Sequence, residues 1–242
     1  MIDQQLQNEI AHGKYLKEHG AGEVWNWETP AGKERWARRV KMLTSHIKPD
    51  MKVLEIGCGT GYFTNEIVKT KAEIVAIDIS PDLLETAQKE ITAENVTFKI
   101  ENAYKLSFDD NTFDTVIGSS VLHHLKLEDA LRELYRVLKP DGTIFFTEPN
   151  MLNPHIAIEK IIPIVRRRMG NSPDETAFFR WSLKGKLRKY GFENIHISPF
   201  DFLHPQTPKI LIPTIKLIGD IAEHTPVISE IAGSLFIKAE RN

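Results

Sequence analysis

The sequence predicts an α/β protein with a doubly wound sheet, and three observations support this fold class. From residue 51 to residue 147, short runs rich in β-branched residues alternate with helical patterns, which is typical of parallel strands joined by crossover helices. Glycines cluster where the first of these runs meets the first helical pattern. The 242 residues, 41% of them hydrophobic, can furnish one sizeable core. We therefore expect a single domain over residues 1–242.

The elements follow from local patterns along the chain. Predicted strands lie at 53–56, 74–77, 96–100, 113–118 and 143–147, and predicted helices lie at 65–70, 82–91 and 127–138. Ser80 is the expected N-cap of the second helix, with Pro81 at its first helical position. The third helix has leucines at the 3.6-residue period and ends at a turn over residues 139–142, with Pro140 in the favoured second place.

Segments on both sides complete the chain. Residues 1–47 are predicted to form a helical cap, whose tryptophans we expect to be core or lid residues rather than substrate contacts. Beyond residue 147 the sequence predicts a helix at 181–190 and strands at 192–198 and 234–239. Insertions remain at 149–178 and 200–230.

Charge and composition narrow the class of protein. The formal net charge of −2 gives the whole surface no strong preference for nucleic acid or an anionic membrane. A single cysteine, Cys58, cannot form an internal disulfide, and the polar start of the chain does not resemble a secretion signal. The most apolar stretch, residues 210–221, is too short to span a bilayer. We expect a cytoplasmic protein without a transmembrane segment.

The glycine cluster reads Glu55-Ile56-Gly57-Cys58-Gly59-Thr60-Gly61. Glycines at a strand-to-helix junction allow a tight turn and a close approach of the backbone to a ligand. The G-x-G-x-G spacing differs from the dinucleotide fingerprint, in which the third glycine comes one residue later, and no Gly-Lys-Ser/Thr of a phosphate loop follows. The alternative is a structural turn without a ligand.

An aspartate ends the second predicted strand. Asp78 lies 21 residues after Gly57 and would stand beside the glycines if the first two strands are neighbours. A carboxylate there can accept hydrogen bonds from both hydroxyls of a ribose. An aspartate before Ser80-Pro81 can also be a simple turn former. Together with the glycines, the ribose interpretation is favoured.

These motifs together resemble those of class I S-adenosylmethionine-dependent methyltransferases. Residues 53–61 followed by Asp78 match the family's first motifs, residues 113–125 are similar to its fourth-strand motif, and residues 134–142 are similar to the helix and turn before its fifth strand. The match covers about residues 45–148. The resemblance implies a Rossmann-like sheet of seven strands with a reversed last strand, S-adenosylmethionine as methyl donor and S-adenosylhomocysteine as product.

The resemblance also implies roles for individual residues. Those expected around the methionine portion of the cofactor are Glu55, Gly57, Cys58, Gly59, Gly61 and Ser119, the last through its backbone carbonyl. Cys58 is expected to be a small filler there, since no basic partner adjoins it to make it a nucleophile. Asp78 would hold the ribose and Ile79 would pack on the adenine. Asn102-Ala103 matches a pair whose first residue is acidic in the family; an amide oxygen can accept the same hydrogen bond without charge.

A candidate catalytic residue follows the fourth strand. Methyl transfer is an in-line displacement that depends mainly on alignment, but a hydroxyl acceptor must lose a proton, and histidine suits that task. His124 is the candidate, with a packing role as the alternative, and His123 is the weaker of the pair because adjacent side chains point apart. His155, His204 and Asp201 are weaker candidates in the insertions. No compact ligand spacing predicts a metal site.

The insertions are expected to form the acceptor pocket. Nine basic residues stand between residues 160 and 189 against two acidic ones. They are Lys160, Arg166, Arg167, Arg168, Arg180, Lys184, Lys186, Arg188 and Lys189. Apolar runs lie at 156–165 and 210–221. One hypothesis is a lid that holds an anionic, apolar or lipid-linked acceptor at a membrane surface; the alternative is a solvated basic face beside ordinary core contacts.

The favoured function is therefore methyl transfer to a small-molecule or lipid- or glycolipid-linked acceptor. Nucleic-acid methylation is an alternative suggested by the basic segment. The sequence lacks the Asn/Asp-Pro-Pro-aromatic tetrad and the Pro-Cys nucleophile of such enzymes, so we do not expect a nucleic-acid partner. A non-catalytic regulator that binds the cofactor is the other alternative.

Overall fold

The protein is built on one seven-stranded sheet. The computed structural model describes residues 4–168, 172 and 174–242. The strands are β1 (Lys52–Ile56), β2 (Glu73–Asp78), β3 (Val96–Ile100), β4 (Phe113–Ser119), β5 (Leu138–Pro149), β6 (Phe192–Phe200) and β7 (Ser234–Arg241). Their order is β3-β2-β1-β4-β5-β7-β6, and β7 runs antiparallel to both of its neighbours. The predicted doubly wound α/β fold with a reversed last strand is confirmed.

Ten α-helices lie in the described part of the chain. They are α1 (Gln4–His19), α2 (Ala21–Val24), α3 (Pro30–Thr44), α4 (Thr64–Ile67), α5 (Pro81–Glu90), α6 (Leu127–Val137), α7 (Pro154–Ile161), α8 (Pro163–Arg168), α9 (Arg180–Lys189) and α10 (Ile212–Glu223). Ser80 caps α5 as predicted, since its side chain accepts a hydrogen bond from Leu83 N. The predicted helix at 65–70 is instead the single turn of α4 followed by a 3₁₀ turn at Val68–Thr70.

Core side chains cover both faces of the sheet. Leu131 and Leu134 of α6 and Leu183 of α9 pack on one face. Leu43 of α3 and Leu84 of α5 pack on the other. With helices on both sides, the central strands have no solvent-facing surface, which explains why they are nearly continuous apolar runs in the sequence.

Strand pairing determines which strand ends meet. β1 pairs in parallel with β2 on one side and with β4 on the other. The glycine loop after β1 therefore lies between Asp78 at the end of β2 and Ser119 at the end of β4. From β1 the sheet extends to β2 and β3 on one side and to β4 and β5 on the other. Open α/β sheets bind ligands at such a point, outside the carboxyl ends of the strands.

The covering segments come from both ends of the chain. α1 contacts α5, and Trp25 at the end of α2 approaches the glycine loop. α7, α8 and α10 come from the predicted insertions. Residues 1–3 of the predicted cap, and 169–171 and 173 of the first insertion, lie outside the described residues. No helix in the described part of the chain is both long enough and apolar enough to cross a bilayer.

Candidate active site

A cavity of about 660 Å³ opens at the carboxyl edge of the sheet. It is lined by the glycine loop, by the ends of β2 and β4, by α1 to α3 from the N-terminal segment and by parts of both insertions. The volume lies within the range of small-molecule binding sites. One end of the cavity contains the glycine loop and Asp78, and a cluster of histidines and carboxylates also lines it.

The glycine loop has a backbone that requires glycine. Gly57, Gly59 and Gly61 have φ angles of 66°, 55° and 86°, in the left-handed region. A Cβ on Gly59 would lie 3.0 Å from Trp25 Cη2, and one on Gly61 would lie 2.5 Å from Ile91 Cδ1. Gly57 and Gly59 line the cavity, whereas Gly61 packs against α5 behind it.

Asp78 joins the loop to the end of β2. Its Oδ2 accepts a hydrogen bond from Gly59 N at 2.9 Å, and its Oδ1 accepts one from Ser80 N at 2.9 Å. Burial raises the pKa of this carboxyl, and the two backbone donors act against that shift. The side chain lines the cavity and also holds the loop in place.

Glu55 and Cys58 lie beneath the loop rather than on the described cavity lining. The Glu55 side chain accepts a hydrogen bond from Thr64 Oγ1 at 2.6 Å, and burial raises its pKa to about 7. The Cys58 thiol is buried, which raises its pKa well above its usual value. Such a thiol is not a nucleophile at neutral pH.

Three predicted residues line the cavity beside Asp78, and one does not. Ile79, Ala103 and Ser119 are on the lining. Asn102 is off the described lining, and its Oδ1 accepts a hydrogen bond from Tyr104 N at 2.9 Å. Its amide oxygen therefore stabilises a local turn.

The two histidines after β4 have different surroundings. His123 Nδ1 lies 2.7 Å from Glu148 Oε2, and Glu148 also accepts hydrogen bonds from the backbone amides of Val121 and Leu122. Burial lowers the pKa of His123 well below its usual value and raises that of Glu148 to about 7. His123 is thus a neutral structural histidine.

His124 meets two carboxylates that come from the covering segments. Its Nδ1 lies 2.9 Å from Glu9 Oε2 of α1 and 3.9 Å from Glu175 Oε1. The first contact is an ion pair without the alignment of a hydrogen bond. Lys160 Nζ lies 2.5 Å from the other oxygen of Glu175. Glu9 and Glu175 were not predicted as site residues, because these contacts join distant parts of the chain and follow no local pattern.

The same cluster has the spacing of metal ligands. Ligand atoms of His123, His124 and Glu175 lie within 4.8 Å of one another. The ammonium group of Lys160 already supplies positive charge to Glu175, and His123 Nδ1 faces Glu148. Lys160 therefore already balances the charge of Glu175 in this cluster.

The weaker candidates in the insertions have structural partners. Asp201 Oδ2 lies 2.8 Å from Arg35 Nε and 2.9 Å from Arg39 Nη2. The rings of His155 and His204 are 5.0 Å apart and bring the two insertions together at the cavity.

The basic segment does not form a uniform cationic surface. Lys160 pairs with Glu175, Arg180 with Glu230 and Lys189 with Glu128. The side chains of Arg167 and Arg168 lie outside the described part. These pairs reduce the charge available for a nucleic-acid backbone.

Comparisons with known proteins agree with this geometry. A family model described as a methyltransferase domain matches residues 54–146. A demethylmenaquinone methyltransferase of Staphylococcus epidermidis is 30% identical in an alignment of 188 residues that covers 68% of this chain and 77% of that protein. A protein of the same name from Lactiplantibacillus plantarum is 28% identical over 195 residues, covering 71% of this chain and 82% of its own.

Solved structures share the fold. A SAM-dependent methyltransferase of Thermotoga maritima superimposes with a TM-score of 0.68 at 19% identity, covering 95% of this chain and 98% of its own. Phosphoethanolamine N-methyltransferase 2 of Haemonchus contortus, solved with S-adenosyl-L-methionine, has a TM-score of 0.62 at 17% identity and covers 91% of this chain and 55% of its own. Sheet order, glycine loop and sequence relatives lead to one conclusion: this chain is an enzyme of the class I S-adenosylmethionine-dependent methyltransferase family, with S-adenosylmethionine as its cofactor.

Proposed function

We propose that this enzyme methylates a small, lipid-linked ring acceptor of the demethylmenaquinone type, in its reduced, hydroxyl-bearing form. The observation that carries the proposal is that one cavity combines a cofactor-type glycine loop with a histidine–carboxylate cluster and apolar insertions. Two relatives named demethylmenaquinone methyltransferase, matched over most of their length, support the acceptor class. Reduction matters because a quinol, unlike a quinone, can release a hydroxyl proton and attack an electrophilic methyl group.

The cofactor would occupy the end of the cavity formed by the strand tips. We assign its methionine portion to the backbone of Gly57 and Gly59 and to the carbonyl of Ser119, and its ribose to Asp78. Left-handed glycines expose the backbone to a ligand, and the carboxylate of Asp78 is held at the cavity wall by backbone donors. Ile79 would pack on the adenine.

The remaining predicted cofactor residues would act indirectly. Glu55 would support the loop from beneath through Thr64, and Cys58 would fill the space below it. Gly61 would fix the packing of α5 against the loop. Asn102 would shape the turn that presents Ala103 to the adenine, since its own amide oxygen is engaged by Tyr104 N.

The acceptor would enter between the two insertions. α7 and the loop before α10 both line the cavity, and both insertions carry exposed apolar side chains. Ile161 is 69% exposed and Ile210 is 85% exposed. Exposed apolar groups beside a binding site are typical of proteins that take their ligand from a membrane. We infer peripheral contact with a lipid surface during acceptor binding.

Turnover of a defined acceptor tests the proposal. Purified enzyme, S-adenosylmethionine and a short-chain demethylmenaquinone reduced with dithionite should produce S-adenosylhomocysteine and the methylated quinone in equal amounts. The oxidised quinone should not react. Equal activity with phosphoethanolamine, or activity only with RNA, would contradict the acceptor class.

The Asp78→Asn variant tests cofactor binding independently of the identity of the acceptor. Loss of a charged acceptor of ribose hydrogen bonds should weaken S-adenosylhomocysteine binding about 10- to 100-fold in calorimetry. Exposed Asp50 provides the matched control, Asp50→Asn, which should bind as the unmodified protein does. Unchanged affinity in Asp78→Asn would contradict the ribose assignment.

A further inference from the structure

We propose that Glu9 of α1 is the positioning residue that makes His124 the proton acceptor of the methyl-transfer reaction, so that the N-terminal helix completes the reactive site. The inference rests on the proposed function, which supplies an acceptor hydroxyl. It assigns a function to a helix that lies outside the region matched by the methyltransferase-domain model.

The geometry fixes α1 against the loop that carries His124. Gln5 Nε2 donates a hydrogen bond to the His124 carbonyl oxygen at 2.5 Å. Glu9 Oε2 lies 2.9 Å from His124 Nδ1, and Glu9 Oε1 accepts a hydrogen bond from Ser172 Oγ at 2.7 Å. One helix therefore holds both the backbone and the ring of His124, while the first insertion holds Glu9.

The carboxylate determines which ring nitrogen is available. A carboxylate beside Nδ1 favours the tautomer with its proton on that atom, which leaves the lone pair on Nε2. The contact lacks the alignment of a hydrogen bond, but at 2.9 Å the charge of the carboxylate still favours a proton on the nearer ring nitrogen. His124 lines the cavity, so its ring is accessible to an acceptor there.

The charges around His124 come from several elements. The titratable groups that face it are Glu9 and His12 of α1, Asp78 of β2, His123, Glu148 of β5, Lys160 of α7 and Glu175. Lys160 offsets part of the charge of Glu175, so that Glu9, the nearer carboxylate, contributes most to balancing a proton on His124.

The pKa values of the two neighbouring histidines are therefore shifted in opposite directions. Burial by itself lowers the pKa of His124, but the carboxylates of Glu9 and Glu175 outweigh burial and raise it above its usual value. The pKa of His123 is lowered by burial instead. Environments that separate two titratable groups in this way indicate separate roles, here a base and a structural residue.

Methylation of a quinol would begin with proton transfer and continue with attack by a ring carbon. The hydroxyl proton moves to His124 Nε2, and the electron pair left on oxygen moves through the ring so that the adjacent carbon attacks the methyl carbon. The methyl–sulfur bond breaks, and its pair stays on sulfur as S-adenosylhomocysteine. The ring carbon then loses its proton while the oxygen regains one, and His124 releases its proton to solvent.

Rate profiles against pH test the assignment. The assay follows S-adenosylhomocysteine formation with reduced short-chain demethylmenaquinone. His124→Asn should lower kcat about 10²- to 10⁴-fold, the usual contribution of a general base. Glu9→Gln should lower the plateau rate about tenfold and move its acidic limb to lower pH, because the imidazolium loses its partner. Exposed Glu18 of the same helix gives the control, Glu18→Gln, which should match the unmodified enzyme.

A second measurement needs no acceptor. Protein labelled with ¹³C-histidine and saturated with S-adenosylhomocysteine is titrated by NMR, and the His124 resonance is identified by its absence in His124→Asn. Glu9→Gln should lower the pKa of His124, whereas Glu18→Gln should not. This result stands even if the quinol is not the acceptor, in which case only the proposed function fails.

Three outcomes would overturn the inference. One is a Glu9→Gln profile, or His124 titration, that superimposes on that of the unmodified protein. Another is normal kcat in His124→Asn. The third is a stoichiometric divalent metal in the purified enzyme whose removal by EDTA abolishes turnover, which would make the cluster a metal site instead.

Discussion

At the scale of single residues, Gly57 combines two constraints. Its φ of 66° is a backbone conformation that side chains with a Cβ rarely adopt, and a Cβ there would overlap Val121 Cγ2. Val121 is buried against the core and cannot move freely. Glycine at this position is therefore a requirement of the fold.

We expect Gly57→Ala to lower the free energy of unfolding by about 1–3 kcal/mol, through left-handed strain and overpacking. Urea denaturation measures the change. Gly185 in α9 is a matched control, because a Cβ there meets no atom within 4 Å. Gly185→Ala should stabilise the protein by about 0.5–1 kcal/mol. A Gly57→Ala variant as stable as the unmodified protein would contradict this account.

Glu55 gives the protein a predictable pH dependence. Burial raises its pKa to about 7 from an ordinary value of 4.5. Between pH 4.5 and pH 7, Glu55 keeps its proton in the folded protein but releases it in the unfolded chain. The contribution of Glu55 to the free energy of unfolding is therefore complete below pH 4.5 and is lost as the pH rises through 7.

Glu55→Gln should remove this contribution while keeping an oxygen that accepts from Thr64. The free energy of unfolding of the variant should rise relative to that of the unmodified protein as the pH increases from 4.5 to 7, by up to about 3 kcal/mol. Urea denaturation at several pH values in this window measures the difference. Parallel profiles would mean that Glu55 is already ionised in the folded protein.

At the scale of elements, features set by local sequence patterns could be predicted, whereas contacts between distant parts of the chain could not. The strands β1, β2 and β4 were predicted within a few residues because burial on both faces leaves a continuous apolar run in the sequence. The prediction for β5 was wrong at its start: the strand begins at Leu138, and the predicted turn at 139–142 is an irregularity of the strand between Leu138 and Thr143. Of the candidate site, Gly57 and Asp78 could be found because adjacent parallel strands bring their ends together. The split of α4 was missed, since one helical turn carries no period. Glu9 was missed because only tertiary folding brings α1 to His124.

The second insertion is attached to α3 by a buried charge cluster. Asp201 contacts both Arg35 and Arg39, and Arg39 and Asp201 are nearly inaccessible to solvent. Glu223 of α10 pairs with Arg38 and accepts a hydrogen bond from Asp201 N. One aspartate thus links the N-terminal segment to the wall of the cavity.

We expect Asp201→Asn to destabilise the protein by about 3–5 kcal/mol, because it leaves the buried Arg39 guanidinium without a counter-charge. The free energy of unfolding from urea denaturation gives the value. Asp220→Asn, at an exposed position of α10, is the control and should stay within about 0.5 kcal/mol. A loss below 1 kcal/mol in Asp201→Asn would show that solvent or neighbouring groups replace the carboxylate.

At the scale of the whole molecule, most of the exposed large apolar side chains of the described residues lie on the two insertions. Ile161 and Ile164 are exposed on one insertion, and Ile210, Leu217 and Val227 are exposed on the other, with Val227 at 80%. Burying several such side chains in a bilayer contributes about 1.5–3 kcal/mol for each fully inserted residue. The placement on two insertions that both line the cavity fits a protein that rests on a lipid surface while the acceptor enters.

We expect the double variant Ile161→Asn/Ile210→Asn to bind vesicles of phosphatidylcholine and phosphatidylglycerol at least tenfold more weakly than the unmodified protein, because two anchoring side chains lose their transfer free energy. Sedimentation with the vesicles measures binding. Ile100, 59% exposed on the edge strand β3, provides the control Ile100→Asn, which should bind normally since it lies on the far edge of the sheet from the insertions. S-adenosylhomocysteine affinity should be the same in all three proteins. Equal loss of vesicle binding in Ile100→Asn, or no binding by the unmodified protein at low salt, would rule out a membrane-facing role for the insertions.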